Sequence, residues 1–362
     1  MHNTYTDPPL PDTFIPSLLL TDGLFGSVEA KTAHGLLRCG ERFSPLAVVD
    51  QKCAGLRTTD VIADLTRAVP IFATTEEALG EFPAIRTAVV GISTPGGRLT
   101  DSLRRTLLDC AERSLDLVSG LHDFLADDPA IAPAAAASGA VITDVRRTPP
   151  ARDLRFWDGS VYSVRAKRIS VLGTDCIVGK RTTARFLADE LNRRGVRTEM
   201  IYTGQTGWMQ GSRYGVIHDA LVTDFTAGEL EGAILACAAG VDPDIMLIEG
   251  QSSLRNPAGP CAEQLSPAAP CGVILQHMPA RTHYDGLEHV EQCRIPSLES
   301  EIALIGLYGA PVLAVTLNLA GVPGSERHRV VSECRARCGE VPVFDVFGDG
   351  IGTLADVVVG QL

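Results

Sequence analysis

An apolar run, Lys167-Arg168-Ile169-Ser170-Val171-Leu172, leads directly into Gly173-Thr174-Asp175-Cys176-Ile177-Val178-Gly179-Lys180-Arg181-Thr182-Thr183, and a helical pattern follows to about Arg194. No other feature constrains the chain as much. Glycines let successive backbone N–H groups converge on one anion. A helix that starts at that point aims its positive end at the same place. Lys180 adds a mobile cation, and Arg193-Arg194-Gly195 ends the helix with cations and a glycine stop. The reading is a phosphate-cradling loop in which Gly173, Thr174, Asp175, Cys176, Gly179, Lys180, Arg181, Thr182 and Thr183 hold a phosphate-bearing cofactor. The plainer alternative is an ordinary tight strand-to-helix turn.

The loop departs from the pattern G-x-x-x-x-G-K-[ST] in two ways. Five residues separate its glycines instead of four, and the position after the lysine is Arg181. A hydroxyl there ordinarily ligates Mg²⁺. Thr182 lies about 100° further round the helix and is a poor replacement. Anion binding is therefore expected without a resident metal. Elsewhere, Cys334 and Cys338 supply only two ligands, and His283 and His289 do not share a helix face, so no metal site is expected.

A chain of 362 residues suggests two domains. Its net charge of −12 sets up a field that repels nucleic acid and anionic lipid. Neither is an expected partner, and an anionic ligand must be held by a local device such as the loop. No run has the length of a membrane span and none reads as a secretory signal. The ten cysteines are scattered without a CxxC pair. Reduced thiols in a cytoplasmic protein are the expectation, and a homo-oligomer is the default for an α/β protein of this size.

Apolar runs alternate with helical patterns along the whole chain, which predicts an α/β fold with mostly parallel sheets. Strands are expected at 18–21, 46–49, 88–92, 115–118 and 140–145, with helices at 28–39 and about 101–117. Arg146-Arg147-Thr148-Pro149-Pro150 interrupts the pattern. The boundary is placed there, giving domains 1–150 and 151–362. In the second, strands are expected at 167–172, 198–202, 244–249, 272–276, 311–317 and 341–346, with a helix at 228–238. The first ten residues read as frayed.

The stretch GTDCIVGKRTTA resembles the phosphate loop of dethiobiotin synthetase and its relatives, as does Ile248-Glu249-Gly250-Gln251. A longer resemblance runs through AKTAHGLLR (30–38), GISTPGGRL (91–99), GLHDFLADDP (120–129), GTDCIVGKRTTA (173–184), GQTGWMQG (204–211), IEGQSSL (248–254) and LQHMPARTHYDG (275–286). Together these are similar to a family once catalogued as a domain of unknown function and now named after D-glutamate N-acetyltransferase. The resemblance implies an N-terminal Rossmann-like domain and a C-terminal P-loop NTPase-like domain. It also implies acetyl transfer from acetyl-CoA to the amino group of D-glutamate or a similar amino acid.

Read from the residues, Glu249 ends an apolar strand, where a partly desolvated carboxylate suits a general base. Asp224 and His277 are the other candidate bases, each with a plainer role as a helix cap or a satisfied histidine. Gln205 and Thr206 follow the strand at 198–202, where ligands bind in open α/β sheets. With Gln251, Ser252 and Arg281 they are the candidate substrate contacts, Arg281 as a carboxylate grip. Cys176, near a helix N-terminus, is a candidate for a transient thioester. Two reactions fit this set. In the first, the loop holds phosphates of acetyl-CoA, the cosubstrate, and an amino acid is acetylated. In the second, the loop holds Mg-ATP for a ligase or kinase of the dethiobiotin-synthetase type. A nucleotide sensor without turnover is the non-enzymatic alternative.

Overall fold

The computed structural model describes residues 14–362 apart from Thr66, Pro260, Phe347 and Asp349; the first ten residues lie outside it. The chain forms two compact units that part at Pro149/Pro150, with residues 204–213 assigned to the N-terminal one.

The N-terminal unit is built on six parallel strands: β1 (Ile15–Leu20), β2 (Phe43–Val49), β3 (Ile71–Phe72), β4 (Thr87–Val90), β5 (Asp116–Ser119) and β6 (Ile142–Asp144). Their order is β3-β2-β1-β4-β5-β6, the Rossmann-like order that reverses between β1 and β4. Leu18, Leu19, Ala47, Val48, Ala88 and Val89 are fully buried, as expected for strands covered on both faces.

The helix expected over 101–117 is Asp101–Glu112. It stops because Ser114 takes φ 62°, and Leu117 N then pairs with Val141 O as part of β5. A helix not anticipated from the sequence, Thr75–Glu81, starts with a reciprocal cap: Thr74 Oγ1 accepts from Glu77 N, and Glu77 Oε2 accepts from Thr74 N.

The C-terminal unit carries seven parallel strands: β7 (Lys167–Gly173), β8 (Thr198–Tyr202), β9 (Tyr214–Gly215), β10 (Ile245–Glu249), β11 (Gly272–His277), β12 (Val312–Leu317) and β13 (Val343–Asp345). Their order is β13-β12-β11-β7-β10-β8-β9. Leu172, Val273, Leu275, Val315 and Leu317 share a core with the helices Leu298–Leu307 and Arg327–Cys338. Ile201, Met246 and Ile248 share another with Thr223–Val241. The latter helix is longer at both ends than the 228–238 expected from sequence. Among the described residues, no helix is long and apolar enough to cross a membrane.

Residues 204–213 contradict a single cut at 150. The position after the strand at 198–202 predicts substrate contacts for Gln205 and Thr206, but Gln205–Gln210 is a helix that packs into the N-terminal unit. Met209 is fully buried in that unit's core, Thr206 Oγ1 lies 2.9 Å from Thr32 Oγ1, and Arg146 Nη2 donates to Gln205 Oε1. The short Trp208-Met209 pair gave no clue in sequence that its core lies in the N-terminal unit.

Candidate functional site

β7 lies in the middle of the C-terminal sheet, flanked by β10 and β11. Register pairs Val171 with Glu249 on one side and Gly173 with Gln276 on the other. The glycine loop therefore leaves the sheet between two strand ends that carry polar groups.

Two backbone bonds frame the loop: Thr174 N to Gln276 O at 3.0 Å, and Thr183 N to Gly179 O at 2.9 Å. Among the described residues, the amides from Asp175 to Thr182 donate to no protein acceptor. Gly179 caps the helix Lys180–Arg193 at φ 109°, which only glycine adopts freely. Ile177 takes φ 54°, a strained value for a β-branched residue. A Cβ on Gly173 would lie 2.8 Å from Val178 Cγ2 and 2.9 Å from Lys180 Cδ, so only a hydrogen fits where the lysine stem folds back.

Lys180 is buried. Its Nζ donates to Asp175 O at 2.6 Å and Ser252 O at 2.8 Å. Burial pushes its pKa down from the ordinary lysine value. A row of amides without protein acceptors and a cation inside the loop are the donors that an anion would need.

Arg181, at the position of the missing hydroxyl, donates Nε to Glu249 Oε1 at 2.8 Å. The other carboxylate oxygen accepts from Thr203 N at 3.3 Å. Glu249 is 2 % exposed. The partly desolvated carboxylate expected as a general base is buried as expected, with each of its oxygens accepting one hydrogen bond, and the acid orients Arg181. Gln251 Nε2 donates to Thr203 Oγ1, and Thr203 Oγ1 donates to Glu249 O, so Gln251 braces the same strand end.

Arg281 also departs from its expected role. Nη1 donates to Asp175 Oδ2 at 2.9 Å and to Cys176 O at 2.6 Å. Asn256 Nδ2 and Asp285 N complete the shell of the Asp175 carboxylate. Asp175 is fully buried, so its ion pair with Arg281 props the loop from below, and the guanidinium is committed before any substrate arrives. Asp224 is exposed on the first turn of Thr223–Val241, where a carboxylate favours the helix dipole; the base role has no support there. Gln205 and Thr206 serve the N-terminal unit. Ser252, at φ 36°, presents its carbonyl to Lys180 and its Oγ to Cys176 Sγ at 3.3 Å. Thr182 is half-buried on the loop helix.

His277 ends β11 with Nδ1 2.9 Å from Thr174 Oγ1. Burial, then the Arg337 cation, lowers its pKa to about 4, so the ring is neutral at pH 7. Its neighbour Gln276 receives Thr183 Oγ1 and Thr316 Oγ1 on one oxygen. Between the unfolded value of about 6.5 and the folded value of about 4, the unfolded chain binds a proton that the folded chain refuses. Stability is therefore lost as pH falls through that window, by the order of 3 kcal/mol. In a series of melts from pH 7 to pH 4, His277→Gln should flatten this part of the curve; an unchanged slope would remove His277 as its source.

Asn256, Thr203 and Gln276 were missed from the sequence. Each is a polar residue distant along the chain from the loop it serves, and only tertiary packing brings it there.

The segment 155–355 matches the family described as Domain of unknown function (DUF1611_C) P-loop domain, and 51–148 matches Domain of unknown function (DUF1611_N) Rossmann-like domain. A curated relative from Tritonibacter scottomollicae, named D-glutamate N-acetyltransferase, is 33% identical over 78% of this chain and 85% of its own. Another of the same name, from a Pseudoalteromonas species, is 28% identical over 74% and 80%. The crystal structure of a DUF1611 family protein from Anabaena variabilis superposes with a TM-score of 0.85 at 29% identity, covering 96% of this chain and 99% of that one.

Proposed function

Because the chain belongs to the DUF1611 family, with its Rossmann-like and P-loop domains, we propose that it is an N-acetyltransferase moving the acetyl group of acetyl-CoA to the amino group of D-glutamate or a similar amino acid. The phosphate loop takes a phosphate or pyrophosphate of CoA. The names of the two relatives support the reaction.

The geometric observation that carries the choice of cosubstrate is the Arg181–Glu249 pair. In a Mg-nucleotide site, the hydroxyl after the lysine and an acid at a strand end share the metal. Here a guanidinium stands in the hydroxyl's place and already neutralises the acid. Among the described residues, Arg181 gives only Nε to the protein, so its remaining N–H groups are available to a phosphate. The donor set suits a phosphate without a metal better than Mg-ATP.

The test is incubation of the protein with acetyl-CoA and a panel of D- and L-amino acids in EDTA, read by mass spectrometry. N-acetyl product and free CoA thiol are expected together. A requirement for Mg-ATP, with no product from acetyl-CoA, would reverse the assignment. In the same assay Arg181→Ser is expected to raise the Kd for CoA about tenfold, the worth of one charge-assisted contact. Affinity equal to the parent's would show that Arg181 serves Glu249 alone.

A further inference from the structure

The segment 252–256 touches the phosphate loop at both ends: Ser252 O accepts from Lys180 Nζ, and Asn256 Nδ2 donates to Asp175 Oδ1. Between them stand Ser253 and Arg255, which turn to a different set of partners. Arg255 Nε donates to Glu301 Oε1 at 2.8 Å, and Nη1 donates to Ser300 Oγ at 2.9 Å. Glu301 lies in the first turns of Leu298–Leu307 and is fully buried. Tyr284, 3 % exposed, interacts with Glu301, Arg255, Ser253 and Asp175. The cluster therefore adjoins the loop.

Its bonding is incomplete in a patterned way. Among the described residues, Arg255 Nη2 and Glu301 Oε2 are buried and have no hydrogen-bond partner. Buried polar atoms are normally paired, and a charged pair kept only as a tie between two segments has no use for a spare donor beside a spare acceptor. A cationic donor next to an anionic acceptor matches a zwitterion.

We propose that Arg255 and Glu301 form the α-amino acid site of this protein, Nη2 of Arg255 taking the carboxylate and Oε2 of Glu301 the ammonium. This rests on the acetyl-transfer reading for the chemistry that follows. Glu301 Oε2 accepts a proton from the –NH₃⁺ group. The freed amine forms the C–N bond at the thioester carbonyl, the C–S bond breaks, and the CoA thiolate leaves and takes up the second proton, which the nitrogen loses as it becomes the amide. Burial raises the Glu301 pKa while Arg255 opposes the rise, and the Tyr284 phenol is the other titratable group that faces it. Each Glu249 oxygen accepts a hydrogen bond, whereas Glu301 Oε2 accepts none among the described residues.

The full chain and its R255Q and E301Q variants are titrated calorimetrically with D-glutamate and assayed with acetyl-CoA. R255Q is expected to weaken D-glutamate binding about tenfold or more. E301Q is expected to lower kcat about a hundredfold, leave the KM for acetyl-CoA unchanged, and remove the fall in rate at acid pH. If R255Q does not fold, R255K keeps a cation beside Glu301 while removing the Nη2 donor, and the same loss of affinity is expected. Variants that bind and turn over like the parent, with only lower melting temperatures, would reduce the pair to a structural tie and overturn the proposal. Binding that is lost in R255Q, with no acetyl transfer even by the parent, would leave the pocket in place and sink the acetyl-transfer reading.

Discussion

Replacing Lys180 with alanine is expected to raise the Kd for CoA about a hundredfold while the fold persists. The side chain is buried and its ammonium rests on two carbonyl oxygens, inside a loop whose amides have no protein acceptors. A phosphate bound there would exchange those weak dipoles for a full opposite charge at low dielectric, where one charge-assisted bond is worth up to about 3 kcal/mol. The fold is expected to tolerate the loss, because removing a buried cation also removes its desolvation penalty. The measurement is calorimetric titration with CoA, alongside a melt. Affinity within twofold of the parent's would end the assignment of the loop as an anion site.

The second large effect is on stability. Asp175→Ala is expected to cost about 3–5 kcal/mol, the usual result of removing one partner from a buried ion pair. Arg281 Nη1, Asn256 Nδ2 and Asp285 N all lose an acceptor at once. Urea unfolding followed through the transition of the C-terminal unit should show a lower midpoint with little change in slope. The double variant Asp175→Ala/Arg281→Ala should lose less than the sum of the two single variants, since most of each penalty is the other group left unpaired. Additive losses would show that the two residues act independently, and Arg281 would return as a candidate for substrate.

Much of the fold was legible in the chain. Strands buried on both faces read as continuous apolar runs, and β1, β7, β8, β10 and β11 were expected within a few residues of their ends. Helices were harder where the apolar stripe was weak. Arg327–Cys338 buries only Cys334 and Cys338 and leaves a charged surface, so its periodicity carried little signal. The short strands β3 and β9 pair through a couple of residues each and have no pattern of their own.

The site divides in the same manner. Sequence alone determined the phosphate loop, because its signal is local: strand, glycines, lysine and helix start follow one another without a gap, and local order suffices to aim amides at one point. It also put an acid at the end of β10. Only the tertiary structure decided what these charges do. Arg281 pairs with Asp175, Glu249 holds Arg181, and Gln205 accepts from Arg146 within the N-terminal unit. A charged residue's role depends on which opposite charge reaches it first within a buried space. That is fixed by strand order and register across a hundred residues of chain, and spacing along the sequence does not encode it.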